Sequence, residues 1–256
     1  MSERTGICDA RAFVCYPAFA MEFIPVQTRV MHPPKDDLFA VLDAYLADVR
    51  EGDVVCVSSK VVAIHQGRCV PAGSIEKSEL VKSEAELFIL RENAPTPLTV
   101  KQATFIGAAG IDESNADGHY ILMPEDLFGF ARALWEHIRA KHTLQNVGII
   151  ITDSRSLPLR YGATGVALAF WGFAPLLDHR GEEDLFGREI RHERSNLADG
   201  IAAGANVVMG EVAESTPIVI ARAVPGLAFT ESNDPSELFT GFEDDIFRVL
   251  YERFLS

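Results

Sequence analysis

The stretch Val147-Gly148-Ile149-Ile150-Ile151-Thr152-Asp153-Ser154 decides how this chain is read. Val147, Ile149, Ile150 and Ile151 are β-branched and unbroken by polar residues, the pattern of a buried strand rather than a half-exposed one. The run ends at Thr152-Asp153-Ser154, so a rigid element delivers two hydroxyls and a carboxylate to its exposed end. Sites are commonly built in such places, because the sheet fixes the backbone while the loop exposes the side chains.

Working outward, Val54 to Val57 reads as a second buried strand, opening into Ser58-Ser59-Lys60. Residues 21–26, 98–106, 120–123 and 217–221 add further strands. Apolar residues recur at helical spacing over 37–49, 78–91, 126–141, 197–208 and 244–254. Gly200 and Gly204 within the fourth of these helices point to close packing on that face. Strands and helices are interspersed without a regular βαβ ladder. The expected class is therefore α+β, with mixed sheets, packed helices and a two-lobed subunit. Residues 1–20 fit no amphipathic template and read as an extension to a main body over 21–256.

Of the 256 residues, 37 are acidic and 23 basic, a net charge of −14. Such a surface repels phosphate backbones and anionic lipid, which argues against nucleic-acid and membrane partners. Anionic small molecules remain open, because a local pocket can recruit cations. Cys8, Cys15, Cys56 and Cys69 form no CxxC pair, and Cys56 within Val54-Val55-Cys56-Val57 reads as a small buried hydrophobe. There is no 18-residue apolar run and no signal-peptide pattern, so the expected compartment is the cytoplasm. P-loop, GxGxxG, GxSxG and HExxH motifs are missing from the chain.

Two polar clusters carry candidate chemistry. One is Ala109-Gly110-Ile111-Asp112-Glu113-Ser114-Asn115; the other is Thr152-Asp153-Ser154 with Arg155 and Arg160 behind it. Hard divalent cations take carboxylate, amide and hydroxyl oxygens, which makes Asp112, Asp153, Ser154 and Glu211 candidate metal ligands. The same residue types also shape ordinary turns. Arg155, Arg160, Arg180 and Arg188 lie among glycines, where a guanidinium can grip a carboxylate or phosphate in two-point fashion. Taken singly, each is more simply read as a solvated surface arginine with ordinary ion pairs. His179, between Asp178 and Arg180, is the one histidine in a setting worth following.

Together these segments resemble the coenzyme F420-0:γ-glutamyl ligase family. The resemblance runs in order through Gly110-Ile111-Asp112-Glu113-Ser114-Asn115, Ile151-Thr152-Asp153-Ser154, Arg160-Tyr161-Gly162, Asp184-Leu185-Phe186-Gly187-Arg188 and Val208-Met209-Gly210-Glu211. It covers about residues 21 to 230. It implies a two-lobed α+β homodimer that forms an amide from L-glutamate and a cofactor carboxylate. GTP or ATP would be the co-substrate, and Mg²⁺ or Mn²⁺ the metal. Carried over, Asp112, Asp153, Ser154 and Glu211 would hold metal, Glu211 standing where the family has glutamine. Ser59, Asn115, Met209 and Gly210 would meet the nucleotide, and Arg155 and Arg160 would orient carboxylates during catalysis.

The chain departs from the family pattern at Ala63-Ile64-His65-Gln66-Gly67-Arg68, where Ile64 takes the place of a nucleotide-contacting lysine. Gln27-Thr28-Arg29 likewise replaces a Gly-Leu-Pro segment. Val61-Val62-Ala63-Ile64-His65-Gln66-Gly67-Arg68-Cys69, and Thr152-Asp153-Ser154 followed by Pro158-Leu159-Arg160, look instead like a bacterial branch associated with folate metabolism, so the expected acceptor is folate-type, with F420-0 as the alternative. The lost lysine also raises a non-catalytic nucleotide- or cofactor-binding homologue as a further alternative.

Overall fold

The structure, a computed structural model, describes residues 21–90 and 96–252. The extension over 1–20, with Cys8 and Cys15, lies outside the described residues, as do positions 91–95 and 253–256. In chain order the first half contains β1 (Glu22–Val26), α1 (Leu38–Tyr45), β2 (Val54–Ser58), α2 (Ser59–Gln66), β3 (Cys69–Pro71) and α3 (Lys77–Glu84). It continues with β4 (Leu87–Ile89), β5 (Leu98–Lys101), β6 (Thr104–Gly107), β7 (His119–Ile121) and α4 (Leu127–His142). The second half contains β8 (Gly148–Ser156), β9 (Ala163–Trp171), β10 (Leu176–Asp178), β11 (Arg194–Asn196), α5 (Leu197–Met209), β12 (Ile218–Arg222) and α6 (Arg248–Tyr251). The class is α+β with mixed sheets, as expected.

The main sheet has five strands in the order β1-β12-β2-β8-β9. Only β2 and β8 run parallel; the other neighbours are antiparallel. Ile149, Ile150 and Ile151 are completely buried, and alternate side chains serve opposite faces. Ile149 and Ile151 join Val55, Val57, Leu42, Leu134 and Ile138 in a core beneath α1, α2 and α4. Ile150 joins Val54, Cys56, Phe170, Ile201 and Ala205 in a second core beneath α5. A strand buried on both faces needs no polar alternation, which is why the isoleucine run is legible. Cys56 is fully buried as expected, and burial pushes its thiol pKa up.

At the far end of β2, Asp53 is 1% exposed, and Arg222 of β12 donates to both its carboxylate oxygens at 2.9 and 2.8 Å. This paired charge ties β12 to the start of β2. The meander β4-β5-β6 and the antiparallel pair β3-β7 form smaller sheets, joined to α3 by a core of Leu80, Val81, Ala109, Ile111 and Leu122.

Several expected boundaries move. The central strand does not stop at Thr152 but runs to Ser156, because β9 supplies partners as far as Ser156↔Ala163. A register shift between Ile151 and Thr152 marks where the apolar part ends. The helix expected over 78–91 stops at Glu84, and Leu87–Ile89 instead pairs with β5. The strand expected over 98–106 is a hairpin, turned at Gln102 and Ala103 with φ of 50° and 54°. Ser59 begins a helix that the apolar pattern does not announce. The closing helix shrinks to Arg248–Tyr251 within the described residues.

The two glycines of α5 differ. A Cβ on Gly204 would meet the Phe23 ring at 2.1 Å, whereas one on Gly200 would meet nothing within 4 Å. Close packing holds at Gly204 and fails at Gly200. Across the helix–sheet contact, a Cβ on Gly165 would lie 2.4 Å from the Ala202 carbonyl oxygen, backbone that cannot yield. Gly165→Ala should therefore cost roughly 1–3 kcal/mol by overpacking. Gly200→Ala should gain about 0.5–1 kcal/mol through helix propensity. Urea unfolding of both variants checks the contrast; equal effects would contradict this packing.

Candidate functional site

Because β2 and β8 are parallel, the carboxyl end of β2 finishes beside the middle of β8, with Ser58 opposite Thr152 where the apolar run of β8 gives way to polar residues. Ligand sites in open sheets favour the carboxyl ends of parallel strands, and here one edge receives polar residues from both. From β2 the chain passes directly into α2, so Ser59 and Lys60 occupy its first turn. From β8 come Asp153 and Ser154. The end of α5 contributes Met209, Gly210 and Glu211, and the turn after β6 brings Asp112, Ser114 and Asn115. These elements surround a cleft of about 340 Å³.

Four expected site residues from distant parts of the sequence line this cleft together: Asp112, Asn115, Asp153 and Ser154. Met209, Gly210 and Glu211 line it as well. Ser59 is buried behind them; with Lys60, Asp112 and Asp153 it borders a smaller recess of about 30 Å³. Asn115 adopts φ 51° and donates its amide to the Val212 carbonyl at 2.5 Å, which joins the two loops across the cleft. Asn206 Nδ2 donates to Glu211 Oε1 at 2.8 Å, while the Ser154 hydroxyl lies 3.4 Å from Glu211 Oε2.

Arg155 and Arg160 are not among the cleft residues. Both lie on the β8–β9 arm, where Arg160 Nη1 donates to the Leu159 carbonyl at 3.0 Å. Arg155 Nε is buried without a hydrogen-bond partner. His179 is held by Glu182 and Ser195, each at 3.1 Å, away from the cleft. Arg180 is spent on Asp178, and the backbone N–H of Arg188 caps Asp184.

The cleft electrostatics centre on two carboxylates and one ammonium. Asp153 is only partly exposed, and the chain packed around it excludes water; this desolvation pushes its pKa up to about 6. The Ser154 backbone N–H and the Ser59 hydroxyl stabilise the ionised form, Asp112 opposes it by like charge, and Lys60 favours it. At Asp112 burial also pushes upward, but the Lys60 ammonium and the Ser114 donors win, and the pKa falls below its ordinary value. Lys60 Nζ stands 2.6 Å from Asp112 Oδ2.

These oxygens are the right chemistry for a hard divalent cation. Asp112 and Asp153 are close enough to feel each other's charge, and Ser154 adds a hydroxyl. Among the described residues, however, no three His, Cys, Asp or Glu side chains close into a metal-holding group. The donor types therefore fit, and the third carboxylate, Glu211, is engaged by Asn206 instead.

Sequence reasoning gave no role to Asn206, Met31 and Arg29, which also line the cleft. Asn206 lies in a helix identified by its apolar pattern, and nothing local marks its amide as facing a site. Arg29 is locked by Asp36 in a two-point ion pair at 2.6 and 2.7 Å. Ile64, the departure noted above, is 2% exposed and forms part of the cleft wall.

A family model for F420-0:γ-glutamyl ligase matches residues 26–223. The chain belongs to the F420-0:γ-glutamyl ligase family. It is 36% identical over 226 residues to a coenzyme F420:L-glutamate ligase of Methanopyrus kandleri, covering 81% of this chain and 88% of that one. A ligase of the same name from Halorubrum lacusprofundi is 34% identical over 210 residues, 73% of this chain and 81% of its own. Another from Haloarcula marismortui is 32% identical over 255 residues, 90% and 95% of the two chains. The protein is accordingly a C–N bond-forming ligase, which sets aside the non-catalytic alternative. The folate preference drawn from Ile64 finds no support in these relatives, whose names carry coenzyme F420. Among the described residues no helix is long and apolar enough to cross a membrane.

The raised Asp153 pKa has a stability consequence. A carboxyl that holds its proton more tightly when folded contributes stability below its unfolded value of 3.8. That contribution is lost as pH rises through about 6. In chelator-treated buffer, Asp153→Asn should stabilise the protein by roughly 1–3 kcal/mol near pH 8 and hardly at all near pH 4. Thermal melts across that range test this; a variant no more stable than its parent at high pH refutes the desolvation.

Proposed function

We propose that this ligase joins the amine of L-glutamate to a carboxylate of an F420-0-type acceptor, consuming a nucleoside triphosphate, with GTP favoured by the family resemblance. The single observation that carries this reading is the convergence of Asp112, Asn115, Asp153 and Ser154 on one cleft beside the amino end of α2. A carboxylate does not react with an amine at neutral pH until it has a leaving group. Transfer of the γ-phosphoryl group to the acceptor carboxylate breaks the bond to the β-phosphate and releases the diphosphate. The glutamate amine then attacks the acyl carbon, loses a proton and expels phosphate.

Both steps bring anions together, so the residues around the cleft must offset negative charge. The first turn of α2 borders the cleft, and the free backbone N–H groups and positive dipole end of a helix amino terminus suit phosphate oxygens. Lys60 adds a mobile positive charge to the same turn. Asp112, Asp153 and Ser154, with Glu211 nearby, are the residues that would hold Mg²⁺ or Mn²⁺. A cation there would supply charge neutralisation between the anionic partners. Ser59 fixes Asp153 from behind, and Met209, Gly210 and Asn115 shape the opposite wall for the nucleotide. Ile64, with Val61 and Met31, makes part of the wall apolar, suiting a planar ring rather than a phosphate.

Arg155 and Arg160 remain proposed carboxylate-orienting groups through a homodimer. The arm bearing them exposes Leu157, Leu159 and Tyr161, the last two almost fully, an apolar tip that a second copy would cover. Sedimentation should show a dimer, and pairing Leu159→Asp with Tyr161→Asp should shift it to monomer and lower activity at least about tenfold. A parent protein that sediments as a monomer at micromolar concentration removes the dimer.

Incubation with F420-0 or tetrahydrofolate, L-glutamate, GTP or ATP, and Mg²⁺ or Mn²⁺, followed by mass analysis, tests the reaction. One added glutamate residue on F420-0, with GTP preferred, is the expected product; no addition to either acceptor would sink the reading. Asp112→Asn should lower turnover by about 10²-fold or more.

A further inference from the structure

Lys60 lines the cleft in an ion pair with Asp112, yet no role in the reading above requires its present position. Its Nζ lies 2.6 Å from Asp112 Oδ2, 3.1 Å from the Ser114 carbonyl and 3.2 Å from the Ser114 hydroxyl. Ser114 in turn donates its backbone N–H and its hydroxyl to Asp112 Oδ1 at 2.7 and 2.8 Å. Lys60, Asp112 and Asp153 border one recess, and the ammonium's charge also favours the ionised form of Asp153. An ammonium bound by a carboxylate, a carbonyl and a hydroxyl has the donor set of a small hard cation.

We infer that Lys60 is a built-in counterion of the Asp112–Asp153 pair, one that a divalent cation must displace and that thereby becomes free to meet an anionic substrate. Two neighbouring carboxylates repel, and the tethered ammonium lets them coexist in a partly buried recess before any ligand arrives. When a divalent cation takes Asp112 Oδ2 as a ligand, the ammonium can no longer remain 2.6 Å from that oxygen, because the two positive centres would repel. Lys60 is anchored in the first turn of α2 and is 27% exposed, so its four-carbon stem can swing toward the helix amino end. The lysine therefore competes with metal and afterwards supplies positive charge where phosphate oxygens would lie. It is a positioning residue whose two locations are mutually exclusive.

The inference rests on the oxygen-donor site proposed above, and metal affinity without nucleotide separates the two. Mn²⁺ binding to the whole chain is measured by calorimetry and by loss of the free-ion paramagnetic resonance signal. Lys60→Met, close in shape and uncharged, should bind Mn²⁺ about five- to tenfold more tightly than the parent. Lys60→Arg, which keeps the charge, should not tighten binding. Binding in the parent should be lost in Asp112→Asn. Equal or weaker affinity in Lys60→Met, while the parent binds and Asp112→Asn does not, overturns the counterion role and leaves the donor site standing. No Mn²⁺ binding by either parent or Lys60→Met overturns both. Binding by Lys60→Met alone supports the counterion in its strongest form. Circular dichroism confirms that each variant is folded before titration. A second readout is the nucleotide: with Mn²⁺ saturating, Lys60→Met should raise the KM for GTP several-fold, an effect that a purely structural salt bridge would not produce.

Discussion

The parallel pairing of β2 with β8 is the constraint from which the rest of the site follows. Among the described residues it is the single parallel contact in an otherwise antiparallel sheet, so the end of β2 emerges beside the polar continuation of β8. Hydrogen bonding between Val54–Ser58 and Gly148–Thr152 sets that alignment to the residue. A slip of one position would turn Ile149 and Ile151 toward α5 and separate Ser58 from Thr152. The burial of both faces makes such a slip costly, and the same apolar packing that stabilises the fold also aims the polar ends.

Charge is handled differently at the two ends of β2. At its start, Asp53 is buried and paired on both oxygens by Arg222. Removing the arginine would leave a buried uncompensated charge, the situation proteins avoid. At its end, the carboxylates have a movable partner and an open cleft. Asp112 is held ionised by Lys60 and Ser114, whereas Asp153 is held partly against ionisation by desolvation. One pair locks a sheet together, and the other leaves a recess ready to exchange its cation.

Legibility followed the length scale of the physics. Buried strands and amphipathic helices announce themselves through side-chain periodicity, so β1, β2, β8, β12, α4 and α5 stand out along the chain. The glycine- and alanine-rich β9 lacks that signal because its small residues let α5 approach; Gly165 against Ala202 is the instance. The hairpin within 98–106 and the early stop of α3 depend on cross-strand partners, which no local window contains. In the site, Asp112, Asn115, Asp153 and Ser154 were legible as motif residues, whereas Asn206 was not, because its amide gains meaning only beside Glu211.

The sequence by itself determined the α+β composition, the two central strands, the identity of the polar clusters and, through motif order, the ligase family. These are properties of single segments or of their succession, and local chemistry specifies them. Tertiary structure alone decided that Asp112 and Asp153 share a recess, that Lys60 borders it in an ion pair with Asp112 and that Arg155 and Arg160 lie outside their own cleft. Those facts arise from the relative placement of β2, β8, α5 and the turn after β6. Packing free energy, summed over both cores, sets that placement, and no single segment encodes it.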